Sequence, residues 1–454
     1  MKQRLIGLLA IATMSITTMA SRYDQQKPFG FCTRSSRTDN SDQYTYSIIG
    51  GGCYTYPVTE DGSTRVITLT SNGEDMKNTI ANAIKRNDVI IFDGSMGDFS
   101  ISSTISVVGS GKTLIGINNA RLCTTWFAKQ EIIDALNEAG VPQMSTSSGT
   151  GGKLSNGTNV SEEAEFNTRQ IIINMTGDTQ ENYRNSGIFY FKNCSNLIIR
   201  NLKFVGPGSI DVGGSDLISF VGTTNCWVDH CEFTDGMDGN FDITQKSDFN
   251  TVSWCTFSYT ERSYMHQNTN LIGSSDSEAT GFLNTTFAFN HWGKNCRARM
   301  PMARVGLIHM LNNYFISAGC GNCINPRKNA EFLIEGNYFA EGVYNYYSQS
   351  SATAVTWCVD NYVTELQGEA PSSFGNTVTV PYAYTVADSS VIPDEVETSA
   401  GATLFKKNDE ATAIKTLSVI GDISDKSTFY NLAGQRVDES ARGIVIVDGK
   451  LITR

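Results

Sequence analysis

Six short segments decide the fold: NLIIRNLKF (196–204), CWVDHCEF (226–233), NTVSWCTF (250–257), TTFAFNHW (285–292), LIHMLNNYF (307–315) and EFLIEGNYF (331–339). Each is an alternating, strand-like run ending on an aromatic residue, and these ends follow one another at 29, 24, 35, 23 and 24 residues. A period in the low twenties, drifting where loops are inserted, marks a solenoid whose turns stack one on the next. The units lack the 3.6-residue period of helical repeats. The expected architecture is an all-β parallel β-helix. Two residues before each aromatic stand Leu202, Cys231, Cys255, Asn290, Asn313 and Asn337. Asparagines at one turn position in successive coils predict a ladder of side-chain amides that satisfies buried polar groups. Cys231 and Cys255 then become stacked, buried thiols.

Outward from this core, the chain has 454 residues with 41 glycines, 9 prolines and a formal net charge of -11. That balance argues against a nucleic-acid partner, which calls for a basic footprint. The opening MKQRLIGLLAIATMSITTMA reads as a signal peptide over residues 1–20, and no later segment is apolar enough to span a bilayer. A secreted protein, periplasmic, extracellular or on the cell surface, is therefore expected, as a monomer. Eleven cysteines, an odd number, leave at least one outside any intrachain pair. Cys32 and Cys53 are candidates for a local staple; Cys320 and Cys323 form a local disulfide or two buried thiols. The β-helix is assigned to residues 21–385, with a loop-rich insertion at 124–165 that holds a short helix over Glu131–Ala139. A polar linker follows at 386–425, then a small β tail at 426–454.

Two clusters inside the repeat carry the chemistry. WVDHCEFTDGMDGNFDIT (227–244) concentrates Asp229, Asp235, Asp238 and Asp242; GKNCRARMPMARVG (293–306) concentrates Lys294, Arg297, Arg299 and Arg304. Carboxylates suit a hard cation such as calcium, and arginines grip carboxylates in a bidentate fork. Together they suit an anionic substrate bearing carboxylates. Asp216 lies 22 residues before Asp238 and 26 before Asp242, about one coil, so stacking is expected to bring the three together. On ideal strands Asp238 and Asp242 would lie ~13 Å apart, and Arg299 and Arg304 would face opposite ways. The bends expected at Gly239 and Pro301 resolve both conflicts. Lys294 and Arg297 also read as a solvated basic face. His230 and His309 lie in apolar strands and read as core histidines, with Asp229 as the hydrogen-bonding partner of His230.

The segments WVDHCEFTDGMDGNFDIT, NTVSWCTF, LIGSSD and RMPMARVGLIHMLNNYF closely resemble the pectate lyase family, over most of residues 28–365. The RxPxxR pattern at Arg299–Arg304 is the most specific element. The resemblance implies a right-handed parallel β-helix that cleaves polygalacturonate or pectin by β-elimination, with calcium. Carried over by residue, it makes Asp216, Asp238 and Asp242 metal ligands. It makes Arg299 the base that takes the C5 proton and Arg304 its partner, with Arg327 binding substrate beside Arg297 and Lys294. Gly214, Thr244 and Asn268 stand where many members have an acid, a lysine and a lysine, which implies weaker calcium binding before substrate arrives. The tail YNLAGQRV…GIVIVDGK resembles C-terminal sorting domains of Bacteroidetes secreted proteins. Two other readings compete. A polygalacturonase-like hydrolase needs paired carboxylates and leaves RxPxxR without a role. A β-helical carbohydrate-binding or adhesin protein keeps the scaffold without turnover.

Overall fold

The computed structural model describes residues 23–405, apart from 25, 60–61, 126–133, 136–137, 139–184, 210–213, 264–265, 345, 348–350 and 367–369, together with the strands of the tail. The signal peptide expected at 1–20 and nearly all of the 124–165 insertion lie outside these residues. No helix among the described residues is long and apolar enough to cross a membrane.

The chain winds as a right-handed parallel β-helix of three sheets with ten, nine and seven strands. One coil shows the pattern. Thr224–Asp229 lies in the ten-stranded sheet, Glu232–Thr234 in the nine-stranded sheet and Phe241–Thr244 in the seven-stranded sheet. Asp248–Ser253 then re-enters the first. Register is strict, so like residues stack. Val228 pairs with Val252, Val252 with Phe287, Phe287 with Met310 and Met310 with Ile334, all fully buried. The repeat-ending aromatics form a second column: Phe204, Phe233, Phe257, Trp292, Phe315 and Phe339 stack at centroid spacings from 4.6 to 5.5 Å. Each such contact adds about 0.5–1.5 kcal/mol beyond the burial itself.

The corner between the first two sheets is one residue in the left-handed region, at Asn201, His230, Trp254, Phe289, Asn312 and Gly336. For side chains as large as Trp254 and Phe289 this costs energy. Stacking offsets the cost: Trp254 lies 4.5 Å from Phe289 and 5.8 Å from His230. The next residue in each coil is the predicted ladder position. Asn313 Oδ1 accepts from the Asn290 backbone N–H at 2.9 Å, and Asn337 Oδ1 accepts from that of Asn313 at 2.9 Å. Asn361 extends the ladder by one rung, accepting from the Asn337 N–H at 3.0 Å. At the other end Cys255 Sγ accepts from the Cys231 N–H at 3.5 Å, so a thiol stands in for an amide.

Two expectations are corrected. Residues 386–405 are not linker. A helix at Ile392–Ser399, here α2 after α1 at Lys77–Arg86, buries Ile392 and Val396 against Trp254, Phe289, Leu311 and Tyr314. Its polar composition hides an apolar edge that covers the aromatic corners. The compact unit accordingly runs to Lys406, and Lys407–Arg454 form a second. That second unit contains a four-stranded antiparallel sheet built from Phe429–Tyr430, Arg436–Val437, Ile444–Val447 and Lys450–Thr453. The Cys32–Cys53 staple is also absent, because Cys32 packs with Ile198 and Trp227 while Cys53 packs with Val89 and Ile115. Cys320 and Cys323 are buried thiols with their sulfurs 3.4 Å apart.

Candidate active site

The acidic and basic clusters meet on the seven-stranded sheet. Asp242 lies inside Phe241–Thr244, paired with Ser219 of the preceding coil. Asp216 enters from just before Ile218–Val221, and the Ser219 hydroxyl donates to its Oδ2 at 2.9 Å. Asp242 Oδ1 accepts from the Leu271 backbone N–H at 2.9 Å, which ties it to the next coil. Gly239 is the bend that makes room. A Cβ at this position would sit 2.8 Å from Asp216 Oδ1 and 3.2 Å from Asp242 Oδ1. The two carboxylate oxygens therefore converge on space that only glycine leaves open.

The electrostatics agree with that geometry. Desolvation, then repulsion from Asp242 and Asp238, pushes the Asp216 carboxyl well above the usual carboxylate range. Desolvation and the charge of Asp238 push Asp242 up to about 7, opposed by Arg299 and the Leu271 N–H. Asp216 Oδ1 is buried without a hydrogen-bond partner. Crowded carboxylates with an orphaned oxygen are the donor set that a hard cation relieves, so the residues fit calcium. Asp238 is turned differently. Its Oδ1 lies 2.9 Å from His266 Nε2 and its side chain is 43% exposed. For this reason no three acidic, histidine or cysteine side chains among the described residues converge as a closed metal cage.

Arg299 has φ +59°, which breaks strand alternation before Met302–Ala303. Its charge acts on both Asp216 and Asp242, and its Nε is buried without a partner. Arg304 directly follows that strand; its Nε donates to Asp276 and its Nη1 to the Gly273 carbonyl, both at 2.8 Å. Arg327 follows Asn325–Pro326 on the next coil, its Nη1 3.8 Å from Met302 Sδ. Lys294 is exposed on the loop after His291–Trp292. Arg297 sits apart from these. It is 4% exposed and donates Nη1 to the Ala318 carbonyl at 2.8 Å, so it braces the loop that holds Cys320 and Cys323. Burial takes it out of the set that can touch a polymer.

The other acids of the first cluster are structural. Asp229 accepts from Arg200 Nε at 2.8 Å and from the Ser253 hydroxyl at 2.6 Å, and sits 2.8 Å from His230 Nδ1. Asp235 caps the Thr260 N–H at 2.7 Å. His309 lies between Glu335 and Tyr382, 2.8 Å from each. Sequence reasoning missed Ser219, whose hydroxyl serves Asp216 three residues earlier, and His266 and Asp276, which acquire their roles only through a neighbouring coil. Asn268, noted as a departure, bridges Gly239 and Ala298 and keeps both amide atoms buried without partners.

The pectate lyase family model matches residues 100–404, more than half of the chain. A probable pectate lyase B of Aspergillus flavus is 37% identical over 164 residues, 34% of this chain and 46% of that protein. Pectate lyase A of Aspergillus niger is 34% identical over 223 residues, 47% of this chain and 64% of that protein. The chain thus spans from about half to two thirds of the length of these relatives. Pectate lyase II from Xanthomonas campestris is similar in structure, with a TM-score of 0.48 and 18% identity over 83% of this chain and 98% of that one. By the family match, the chain belongs to the pectate lyase family.

Proposed function

We propose that this protein is a secreted, calcium-dependent pectate lyase that cleaves α-1,4-polygalacturonate by β-elimination. One observation carries the reading: Arg299 bears on the same two carboxylates, Asp216 and Asp242, whose oxygens converge at Gly239. A cation site and an arginine on adjoining coils match a substrate that is both anionic and acidic at carbon. Asp216 and Asp242 would hold the cation, joined by Asp238 once it leaves His266. Bound there, calcium would draw charge from the uronate carboxylate and make its C5 proton easier to remove.

The chain's own residues supply the rest. Arg304, Arg327 and Lys294 offer donors to uronate carboxylates along the groove. Arg299 takes the C5 proton; the electron pair forms the C4–C5 double bond, the C4–oxygen bond breaks, and the departing oxygen takes a proton from water. The products are a 4,5-unsaturated oligogalacturonate and a shortened chain. The buried Nε of Arg299 has no protein partner among the described residues that must be released before substrate enters.

The test is ultraviolet absorbance of the unsaturated product from polygalacturonate with calcium. Wild type should produce it, chelator should abolish it, and Arg299→Lys should bind substrate yet lose nearly all kcat. Reducing ends without the absorbance would assign a hydrolase instead. Binding alone would assign a carbohydrate-binding protein.

A further inference from the structure

Arg304 does not project loosely from its coil. Both groups that hold it, the Asp276 carboxylate and the Gly273 carbonyl, belong to one loop over residues 273–281. That loop is braced in turn. Glu278 Oε1 accepts from the Ser274 N–H at 3.0 Å, from the Ser274 hydroxyl at 3.0 Å, and from the Gln245 N–H on the preceding coil at 3.2 Å. Gly273 has φ +84°, and a Cβ there would lie 3.2 Å from Arg304 Cβ. Glycine therefore lets the arginine lie flat against the loop. The Arg304 hydrogen bond holds the Asp276 carboxyl below its ordinary range, with Lys328 and Arg327 adding to the effect.

Stability does not account for this arrangement. Asp276 is 59% exposed, and exposed ion pairs contribute ~0–1 kcal/mol. What a two-point hold supplies is orientation. A guanidinium has five N–H donors; two are engaged here, and the other three are fixed in direction by the plane that Asp276 and Gly273 define. A fork whose plane is already set loses less freedom on gripping a carboxylate.

We propose that Asp276 is a positioning residue for Arg304, holding its guanidinium so that the remaining donors meet a uronate carboxylate already oriented. The inference rests on the lyase reading of the groove, and binding and turnover separate the two.

Asp276→Ala and Asp276→Asn would be made in the full chain. Turnover is measured in the otherwise wild-type protein, and trigalacturonate binding by calorimetry in an Arg299→Lys background. Asp276→Ala should raise KM about tenfold and lower kcat far less, with trigalacturonate binding weakened about tenfold, the order expected for one disordered charge-assisted contact. Asp276→Asn keeps an oxygen acceptor and should recover most of the loss. In an Arg304→Ala, Arg299→Lys background, Asp276→Ala should weaken binding no further. Additive losses there would overturn the proposal, as would a lowered melting temperature with unchanged binding. Tighter binding by either variant would also overturn it, making Asp276 a competitor for the substrate's place. A wild type that releases no unsaturated product defeats the lyase reading alone, and the binding measurements then decide the role of Asp276.

Discussion

Removing one charge from the carboxylate cradle should make the protein more stable, and only at neutral to alkaline pH. In the fold the Asp242 carboxyl is pushed up to about 7 from an ordinary 3.8. Between those values the folded state binds a proton that the unfolded state has released, so stability falls as pH rises through this window. At pH 8 both states are ionised and the full penalty is present; at pH 4 it is nearly absent. The gap corresponds to a ceiling of about 4 kcal/mol. Asp242 is only partly buried, and solvent screening roughly halves this to about 2 kcal/mol. Asp242→Asn keeps an oxygen to accept from the Leu271 N–H. In chelator it should therefore raise the melting temperature at pH 8 and change it little at pH 4. Added calcium should stabilise wild type at pH 8 far more than the variant, since ligand binding to the native state adds RT ln(1 + [L]/Kd). Thermal unfolding at both pH values, with and without calcium, checks this. A variant destabilised at pH 8 in chelator, or shifted equally at both pH values, would refute the argument that the carboxylates repel across Gly239.

Asn313→Ala should cost about 2–4 kcal/mol, read as a lowered urea midpoint. It strands the Asn290 N–H and removes the side-chain donor to the Phe287 carbonyl, both within a closed core, while the Asn313 backbone N–H still serves Asn337 Oδ1. Ending the chain after residue 406 should leave melting and turnover unchanged, because Lys407–Arg454 form a separate compact unit. Ending it after residue 385 should lower the melting temperature by several degrees and increase binding of a hydrophobic dye, since Trp254 and Phe289 lose the cover of Ile392 and Val396.

The sequence by itself determined the solenoid and its inner columns. A strand repeat in strict register leaves no choice about which residues stack, so Phe204 through Phe339 and Asn290 through Asn337 were legible as columns before any coordinates. It also marked Asp216 and Asp242 as neighbours, because residues about one coil apart in such a fold lie side by side, whereas Arg299, more than two coils from Asp216 along the chain, was joined to them only by the family resemblance. The tertiary structure decided what depends on contacts between loops and coils. It sent Arg297 inward to the Ala318 carbonyl, although the segment around it reads as a basic face. It turned Asp238 toward His266, and it set Asp276 on Arg304 from a loop whose serine-rich text signals only a turn. It also laid α2 on the aromatic corners, since one turn of apolar spacing in a polar stretch becomes visible only beside the surface it covers. Register is a local property repeated along the chain, and a sequence can state it. The direction of a side chain at a bend depends on the neighbouring coil, and only the assembled helix supplies that neighbour.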